Sequence, residues 1–387
     1  MKILQITPAY YPSVSWGGPI VSVHLLNREL VKLGNEVVVY TTTFGLAQNE
    51  TQENIIDGVK VIYLKSFKFG KWLVPIFLRK KLSETKNYFD ITHIHQIWDP
   101  ICWLSELFFI KNKTPFIITP RGSIDPVLIK KKSYFIKKIL YALFVKRIFK
   151  NASGFHFTSE YEKEQFVKFS RINTNTNTNK HKCRIIFNPL DISEFQKNVD
   201  KNLLQKWNLK NKRYFLYLGR INWKKGIEFL IGAFAKFTDE FILVIAGPDE
   251  NGYKAKLEKL IKEKGIGSKV IFTGLVKGDD KLCLLKNAEA FILSSYGENF
   301  GIAVAEAMAI GTPVIISKYV GLQNVIEKYN AGVVIDLDEE ELFQKMKDII
   351  ENLELKNLII KNAYNLVKEQ FDPSSIAKQI INFYNEI

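Results

Sequence analysis

Residues 2–42 read KILQITPAYYPSVSWGGPIVSVHLLNRELVKLGNEVVVYTT. They contain a short apolar run at Lys2–Ile6, a loop rich in proline and glycine, and apolar residues at helical spacing from Ile20 to Leu33. Gly34, which suits the end of a helix, is followed by a β-branched run at Val37–Thr42. Strand, helix and strand in this order predict a β-α-β unit, which implies a parallel sheet.

The same alternation of apolar runs and helical stretches continues along the chain. We predict strands at Val59–Leu64, Ile91–Ile94, Phe116–Thr119, Gly154–Thr158, Arg184–Phe187, Tyr214–Leu218, Phe241–Ala246, Val270–Thr273, Ala290–Leu293 and Val314–Ile316, and helices at Ile227–Phe237, Tyr253–Lys264, Ile302–Ile310 and Asp372–Ile387. A length of 387 residues exceeds what one core usually supports. We therefore expect two doubly wound α/β domains, residues 1–190 and 191–371. The polar repeat Asn173–Asn179 predicts a loop.

The composition is that of a soluble globular protein, with 47% hydrophobic and 25% charged residues. No run of about 18 apolar residues occurs, so a transmembrane helix is not expected. The cysteines Cys102, Cys183 and Cys283 lie far apart and form no CxxC pair, which disfavours a disulfide framework or a zinc site. A reduced, cytoplasmic setting fits these observations.

The net charge of +15 is concentrated in the first half of the chain. Residues 1–200 carry 29 Lys and Arg against 16 Asp and Glu, whereas residues 201–387 carry 26 against 24. Such a bias indicates an anionic partner, either nucleic acid, a membrane surface or a phosphorylated ligand, although a solvated lysine-rich surface explains it equally well. The chain contains no known nucleic-acid-binding motif, which disfavours the first of these partners.

The first motif with a chemical implication is Gly219-Arg220-Ile221-Asn222-Trp223-Lys224-Lys225-Gly226, between a predicted strand and a predicted helix. A strand-loop-helix turn directs backbone N–H groups and the helix dipole at one place. Arg220 can bind two phosphate oxygens at once, and Lys225 adds a point charge. A diphosphate suits this loop, although an ordinary loop with solvated cations remains the alternative.

The second motif, SSYGENFGIAVAEAMAIGTP at residues 294–313, again runs from a strand through a loop into a helix. Glu298 precedes the helix, and Glu306 lies about two turns inside it. A carboxylate on each side of a phosphate site suits a ligand with hydroxyl groups on both sides of a diphosphate, which describes a nucleotide sugar. The alternative is that Glu298 only balances the helix dipole and Glu306 is a solvated helix residue.

With these motifs, the chain resembles the retaining glycosyltransferases of family 4. The Glu-x7-Glu spacing of Glu298 and Glu306 and the Gly-Arg-x4-Lys-Gly run of Gly219–Gly226 carry the resemblance. Weaker support comes from Gly17-Gly18, Asp90–His95, Thr119-Pro120-Arg121-Gly122, Thr158–Glu160, Asn188-Pro189 and Ala246–Asp249. The resemblance implies the GT-B fold, with two facing Rossmann-like domains, a cleft between them, and a C-terminal helix (372–387) that crosses back onto the first domain.

The resemblance also implies roles for individual residues. Arg220 and Lys225 would hold the donor diphosphate and stabilise charge on the leaving group. Glu306 would accept hydrogen bonds from the ribose, and Glu298 would contact sugar hydroxyls. His95 would face the sugar and the reacting centre, with His93 as the less favoured alternative on the same strand face. The remaining predicted donor contacts are Gly18, Val276, Asn299, Phe300 and Gly301.

The activity implied is transfer of a sugar, with its anomeric configuration kept, from a nucleotide-diphosphate donor to a hydroxyl of a glycan or lipid-linked glycan. A nucleotide-sugar epimerase or a phosphorylase on the same architecture is the alternative, and a catalytically inactive scaffold is less favoured because both glutamates and both cations are present. We expect no cofactor and no metal. Asp336-Leu337-Asp338 has the form of a metal-binding Asp-x-Asp, but Asp338 is better explained as a helix cap.

Residues 126–150 combine eight lysine and arginine residues with many aromatic and aliphatic ones. A cationic helix with a large apolar face suits an anionic membrane surface, whereas the alternative is a packed helix with a solvated basic face. We favour membrane contact, because many members of the family build surface glycans on lipid carriers. This predicts a cytoplasmic protein that is attached peripherally to the membrane.

Overall fold

The computed structural model describes residues 1–13, 17–70, 72–124, 134–172, 181–238 and 240–387. The predicted loop at Asn173–Asn179 and the first part of the basic segment, residues 126–133, lie outside these ranges. The chain divides into two compact units. Unit 1 comprises Met1–Pro189 and Pro373–Ile387, and unit 2 comprises Leu190–Asp372.

Unit 1 is built on an eight-stranded sheet. Its strands and those of a separate hairpin are β1 (Lys2–Ile6), β2 (Glu36–Thr42), β3 (Gln52–Ile56), β4 (Val59–Leu64), β5 (Ser66–Phe69), β6 (Trp72–Pro75), β7 (Ile91–His95), β8 (Phe116–Thr119), β9 (Gly154–Phe157) and β10 (Lys182–Ile185). The order across the sheet is β10-β9-β8-β7-β1-β2-β4-β3, with only β3 antiparallel to its neighbour. Strands β5 and β6 form the antiparallel hairpin.

Helices cover both faces of this sheet. They are α1 (Gly18–Lys32), α2 (Leu78–Glu84), α3 (Pro100–Asn112), α4 (Tyr134–Leu140), α5 (Lys146–Asn151) and α6 (Glu160–Ser170), with a π-helical turn at Tyr141–Val145 between α4 and α5. Apolar residues of α1 pack on one face, and those of α2, α3, α5 and α6 pack on the other. The helices can do this because strand side chains alternate between the two faces.

Unit 2 contains a six-stranded, fully parallel sheet. Its strands are β11 (Arg213–Leu218), β12 (Phe241–Ala246), β13 (Val270–Gly274), β14 (Ala290–Leu293), β15 (Val314–Ser317) and β16 (Val333–Ile335), in the order β13-β12-β11-β14-β15-β16. Its helices are α7 (Ile227–Phe234), α8 (Tyr253–Glu263), α9 (Gly278–Lys286), α10 (Ile302–Ala309), α11 (Gln323–Tyr329), α12 (Glu339–Glu351) and α13 (Leu353–Gln370). Chain order reverses between β11 and β14, which is where ligands bind in doubly wound sheets.

The last helix, α14 (Pro373–Asn385), returns to unit 1. Its residues Ile376, Ile380 and Phe383 are buried beside α1 in the core on one face of the eight-stranded sheet. Among the described residues, no helix is both long and apolar enough to cross a membrane.

Some elements of the structure differ from the prediction, and two of these cases are instructive. The strand predicted at Arg184–Phe187 lies at Lys182–Ile185, because it pairs in register with Gly154–Phe157 and its partner ends there. Strand β3 was missed, because its exposed sequence, QENII, lacks an apolar alternation and forms only the antiparallel edge of the sheet.

Candidate active site

The loop after β11 is held against the end of β14 by backbone contacts. Gly226 has a φ of +58°, and a Cβ at this position would lie 2.0 Å from the carbonyl oxygen of Ser294. Ser294 Oγ donates to the Gly226 carbonyl at 2.7 Å, and the Tyr296 amide donates to the Lys224 carbonyl at 2.8 Å. Only glycine fits this close approach, which joins the two motifs identified in the sequence.

Lys225 and Glu298 form an ion pair between these two loops, and both side chains are mostly buried. Burial alone would raise the pKa of the Glu298 carboxyl, but the nearby cations Lys225, Lys224 and Arg220 hold it below its usual value. Glu298 is therefore ionised at neutral pH. Its backbone is fixed as well, because its amide donates to the Tyr319 carbonyl at 2.9 Å.

Arg220 lies at the surface of the same loop, with 64% of its side chain exposed. Its Nη1 lies 3.2 Å from Glu250, and Glu250 also accepts a hydrogen bond from Asn222 Nδ2 at 2.8 Å. Tyr217 supports the loop from below, since its hydroxyl donates to the Arg220 carbonyl at 2.8 Å. The guanidinium is thus able to move toward an incoming anion at the cost of one exposed ion pair, which contributes little.

Glu306 lies inside α10, with 14% of its side chain exposed. Lys281, on α9, donates to Glu306 Oε1 at 2.8 Å. A carboxylate oriented by a lysine on one oxygen keeps its second oxygen available for a hydroxyl donor. Helix α10 begins after Gly301, whose φ is +96°, so the positive end of its dipole lies three residues along the chain from Glu298.

The other predicted donor contacts in unit 2 differ in exposure. Phe300 is 3% exposed and packs against Phe371, so its side chain belongs to the core and only its backbone can contact a ligand. Asn299 is half-buried. Val276 is also half-buried and follows the carboxyl end of β13, beside the exposed Leu275.

In unit 1, the predicted residues lie after the carboxyl ends of β1 and β7. Gly18 is the first residue of α1, and Gly17 before it has a φ of +79°. His95 is the last residue of β7 and has no exposed surface. Its Nε2 lies 2.7 Å from Gln5 Oε1, and its Nδ1 accepts from Arg121 Nε at 3.1 Å. His95 therefore presents neither ring nitrogen to open space in this structure.

The alternative residue, His93, is also fully buried. Its Nδ1 lies 2.7 Å from the Tyr384 hydroxyl, and its Nε2 lies 2.6 Å from Thr119 Oγ1. Burial lowers the pKa of both His93 and His95 well below the ordinary histidine value. Both rings are therefore neutral at physiological pH.

In unit 2, both aspartates of the Asp336-Leu337-Asp338 motif make local structural contacts. Asp338 caps α12 by accepting from the Glu341 amide at 2.8 Å, as the sequence predicts, and Asp336 pairs with Lys318. Within the described ranges, no cluster of three or more His, Cys, Asp or Glu residues is arranged to hold a metal ion.

The described part of the basic segment is helical throughout. Phe135, Ile139 and Leu143 recur at every fourth residue, and they are 78%, 58% and 62% exposed. On the inner side, Trp103 of α3 stacks on Phe144 with ring centroids 5.3 Å apart. The helix is thus anchored to α3 and presents an apolar stripe to its surroundings.

Comparison with known proteins agrees with this arrangement. Residues 199–366 match the protein family described as "Glycosyl transferases group 1". Residues 16–194 match the family described as "Glycosyltransferase Family 4". The chain belongs to the family 4 glycosyltransferases. This confirms the family resemblance and the predicted fold class, two Rossmann-like α/β domains of the GT-B type.

This glycosyltransferase is 27% identical to an uncharacterised glycosyltransferase of Methanocaldococcus jannaschii, over 99% of this chain and 98% of the relative. It is 25% identical to an alpha-monoglucosyldiacylglycerol synthase of Streptococcus pneumoniae, over 90% of this chain and 82% of the relative. In fold it is similar to HepE of Anabaena in complex with UDP and glucose, with a TM-score of 0.75, 19% identity and complete coverage of both chains.

Three residues near the predicted sites of this glycosyltransferase were not assigned from the sequence. Lys281 and Glu250 reach Glu306 and Arg220 only through tertiary contacts, and no local spacing indicates them. Arg121 belongs to the Thr119–Gly122 motif at the carboxyl end of β8, and this position was the signal available for it.

Proposed function

We propose that this glycosyltransferase transfers a sugar, with retention of anomeric configuration, from a nucleoside-diphosphate donor to a hydroxyl of a glycolipid or lipid-linked glycan. The observation that carries the proposal is the joined pair of loops after β11 and β14, which brings Lys225, Glu298 and the start of α10 together at the switch point of unit 2. These groups match a diphosphate and its attached sugar in charge and hydrogen-bonding capacity.

In the proposed reaction, the acceptor oxygen forms a bond to the anomeric carbon as the bond to the diphosphate breaks. The acceptor proton passes to the leaving phosphate, so no protein nucleophile is required. Lys225 and Arg220 stabilise the charge that develops on the departing diphosphate. Glu298 positions the sugar hydroxyls, and Glu306 positions the ribose.

The choice of acceptor class is supported by relatives. The similar protein of Streptococcus pneumoniae is named for synthesis of a glucosylated diacylglycerol. Another relative, from Campylobacter jejuni, is 28% identical over 52% of this chain and is named for transfer to a diphospho-undecaprenol-linked sugar. Both names describe acceptors that carry a lipid.

Peripheral attachment to an anionic membrane surface through residues 126–150 forms part of the proposal. Among the described residues of this segment, Lys138, Lys146, Arg147 and Lys150 are exposed, as is the apolar stripe of Phe135, Ile139 and Leu143. Cations near anionic lipid contribute about 1 kcal/mol each, and the apolar stripe adds burial energy. A cytoplasmic location would place this surface against the inner face of the membrane.

A donor screen tests the activity. Purified protein is incubated with several nucleotide sugars and with extracted lipid acceptors, and released nucleoside diphosphate and new glycolipid are both measured by mass spectrometry. The proposal predicts both products in equal amounts, and the anomeric configuration of the product is then read by NMR. Conversion of the nucleotide sugar without acceptor consumption would instead favour an epimerase.

A further inference from the structure

A continuous chain of hydrogen bonds runs through the interior of unit 1. Its members, in order, are Arg121, His95, Gln5, Tyr384, His93, Thr119, His156 and the backbone carbonyl of Ile186. The seven donor–acceptor distances lie between 2.6 and 3.1 Å. The chain links the carboxyl ends of β1, β7 and β8 to helix α14.

The direction of every hydrogen bond in this chain is determined by its two ends. The Arg121 guanidinium can only donate, and the Ile186 carbonyl can only accept. His95 Nδ1 must therefore accept from Arg121, and His95 Nε2–H must donate to Gln5 Oε1. The same reasoning applied to each following member makes His93 and His156 Nε2–H tautomers as well.

This direction excludes a general-base role for His95 in the described conformation, because its only lone pair already accepts from Arg121. Desolvation by burial independently favours neutral rings, and it lowers the pKa of His156 to about 3. His95 thus serves to hold Arg121 in place by accepting its hydrogen bond. Arg121 is the most exposed member of this series of hydrogen bonds.

Arg121 has features of a prepared binding group. It follows β8 and adopts a φ of +49°, a conformation that costs energy for a residue other than glycine and is concentrated at functional sites. Besides its bond to His95, its Nη1 donates to Asn188 Oδ1 at 2.8 Å. Arg121 is half-buried, and its Nη2 makes no hydrogen bond with any residue that the structure describes.

The guanidinium also keeps its charge. Burial lowers the pKa of Arg121 to about 10, opposed by the nearby carboxyl of Glu162, so the group is a cation at neutral pH. Glu162 itself is engaged by the amides of Gly122 and Thr158. A cation with two anchored nitrogens, and a third that has no hydrogen bond among the described residues, is preorganised for an anionic oxygen.

We propose that Arg121 is a substrate-binding residue whose Nη2 receives a phosphoryl oxygen, and that the hydrogen-bond chain through His95 and Tyr384 positions it. This inference rests on the proposed function, in which the donor carries a diphosphate and an acceptor linked to a lipid diphosphate would carry phosphate as well. Helix α14 then contributes to the site, because its Tyr384 belongs to this series of hydrogen bonds. His95 is a positioning residue rather than one that touches the sugar.

The first test is spectroscopic and requires no activity. The chain contains only five histidines, so two-bond ¹H–¹⁵N correlation spectra of histidine-labelled protein are readily assigned. At pH 7, His93, His95 and His156 should all appear as neutral Nε2–H tautomers. An Nδ1–H tautomer or an imidazolium at His95 would contradict the assigned direction and overturn the inference.

The same spectra test ligand binding and separate its two sources. Wild-type protein is titrated with UDP and GDP in one series and with decyl phosphate, which represents a lipid phosphate, in another. We expect one series to shift the His95 nitrogen resonances in wild type but not in Arg121→Gln. A shift with the nucleotides assigns the donor phosphate, and a shift with decyl phosphate assigns the acceptor. No shift in either series would overturn the proposal.

Kinetics test the positioning role. Arg121→Gln should lower kcat/KM about 10- to 100-fold, the effect of losing one hydrogen bond from a charged group, with the KM of the phosphate-bearing partner rising most. Tyr384→Phe should reduce kcat/KM less and displace the His95 resonances. The control is Tyr214→Phe, which removes a buried hydroxyl bond of 2.7 Å to the Leu284 carbonyl in unit 2.

Failure of the proposed function and failure of the inference about Arg121 give different experimental results. If no donor yields transfer with wild-type protein, the proposed function fails, and the spectra still decide whether Arg121 binds phosphate. If wild type is active and folded Arg121→Gln has unchanged kinetic constants for both substrates, the inference fails and the proposed function stands.

Discussion

At the scale of single residues, each glutamate of the Glu-x7-Glu motif is paired with a lysine from elsewhere in unit 2. Glu298 pairs with Lys225 across two loops, and Glu306 pairs with Lys281 across two helices. Each carboxylate is mostly buried, so each depends on its cation to offset the cost of desolvation. The two carboxylates are therefore held in separate places and suit different parts of a nucleotide sugar.

We predict that Glu306→Ala weakens binding of the free nucleoside diphosphate, whereas Glu298→Ala spares that binding and lowers turnover. The reason is that, in the proposed roles, the first variant loses a ribose contact and the second loses a sugar contact. Each lost charged hydrogen bond corresponds to about 1.5–3 kcal/mol. Isothermal calorimetry with the diphosphate and steady-state rates provide the measurement, and Glu340→Ala, an exposed carboxylate paired with Lys236, is the control. Equal affinities in the two variants would contradict the assignment.

At the scale of elements, the turn between β11 and α7 depends on one glycine. Gly226 combines a positive φ with a backbone contact to Ser294 that leaves no room for a Cβ. Gly265 also has a positive φ, +70°, but a Cβ added there would meet nothing within 4 Å. The two positions therefore share the conformational cost and differ in the steric one.

We predict that Gly226→Ala lowers the free energy of unfolding more than Gly265→Ala does. Left-handed strain costs of order 1 kcal/mol in each variant, and the clash with Ser294 adds to it only in the first. Urea denaturation measures both, and donor binding should weaken only in Gly226→Ala because the turn carries Lys225. Similar unfolding free energies for the two variants would show that the loop relaxes without cost.

The continuous helix of α4, the π-turn and α5 carries the exposed apolar stripe of Phe135, Ile139 and Leu143. We predict that wild-type protein floats with anionic vesicles at low salt and less so at high salt, and that changing Phe135, Ile139 and Leu143 to Ser weakens flotation at low salt and abolishes it at high salt. The apolar contribution is not screened by salt, whereas the contribution of the lysines is. Vesicle flotation measures this.

The matched control for the helix replaces Ile55 and Leu353, which are 77% and 68% exposed elsewhere on the protein, by Ser. This variant should float like wild type. If wild type itself stays unbound on anionic vesicles at low salt, the stripe is a solvent-exposed surface and the membrane part of the proposal fails.

At the scale of the whole molecule, the buried histidines couple stability to pH. Their folded-state pKa values are lowered, so the unfolded chain binds more protons once the pH falls below about 6.5. The stability they contribute is present above that pH and is lost as the pH falls toward their folded pKa values. Burial raises the pKa of Glu162, which acts in the opposite sense, so a difference between variants is the informative quantity.

We predict that the unfolding free energy of wild type falls more steeply from pH 6 to pH 5 than that of His156→Asn. The difference should approach about 1.4 kcal/mol per pH unit, the slope for one proton. Urea denaturation at each pH measures it, with His181→Asn as the control because His181 is only half-buried. Parallel slopes for wild type and His156→Asn would show that His156 is not neutral in the folded state.

We also predict that transfer does not require a divalent metal. The proposed donor site already contains two lysines, an arginine and a helix N-terminus that can offset the charge of a diphosphate. Rates measured in EDTA, and again after addition of magnesium or manganese, provide the test. Activity that disappears in EDTA and returns with either metal would contradict the prediction and would favour a metal-binding role for Asp336 and Asp338.

The amino-acid sequence by itself determined the fold class and the two main motifs. Apolar alternation and helical spacing are local, so strands such as Phe116–Thr119, Phe241–Ala246 and Ala290–Leu293 have the predicted bounds. Glu298 and Glu306 are recognisable because their spacing lies within one strand-loop-helix segment. Strand β3 was not predicted because its exposed residues show no apolar alternation, although it pairs with the next strand, β4, through a two-residue turn.

Only the tertiary structure decided which groups meet. Lys281 reaches Glu306 from another helix, and Tyr384 forms hydrogen bonds with Gln5 and His93, which lie 379 and 291 residues earlier in the sequence. From the sequence, His95 is one of two histidines on a strand face. In the fold its ring is buried and hydrogen-bonded through both nitrogens, and its neighbour Arg121 is only half-buried. A side chain's accessibility depends on everything packed around it, and local sequence does not contain that information.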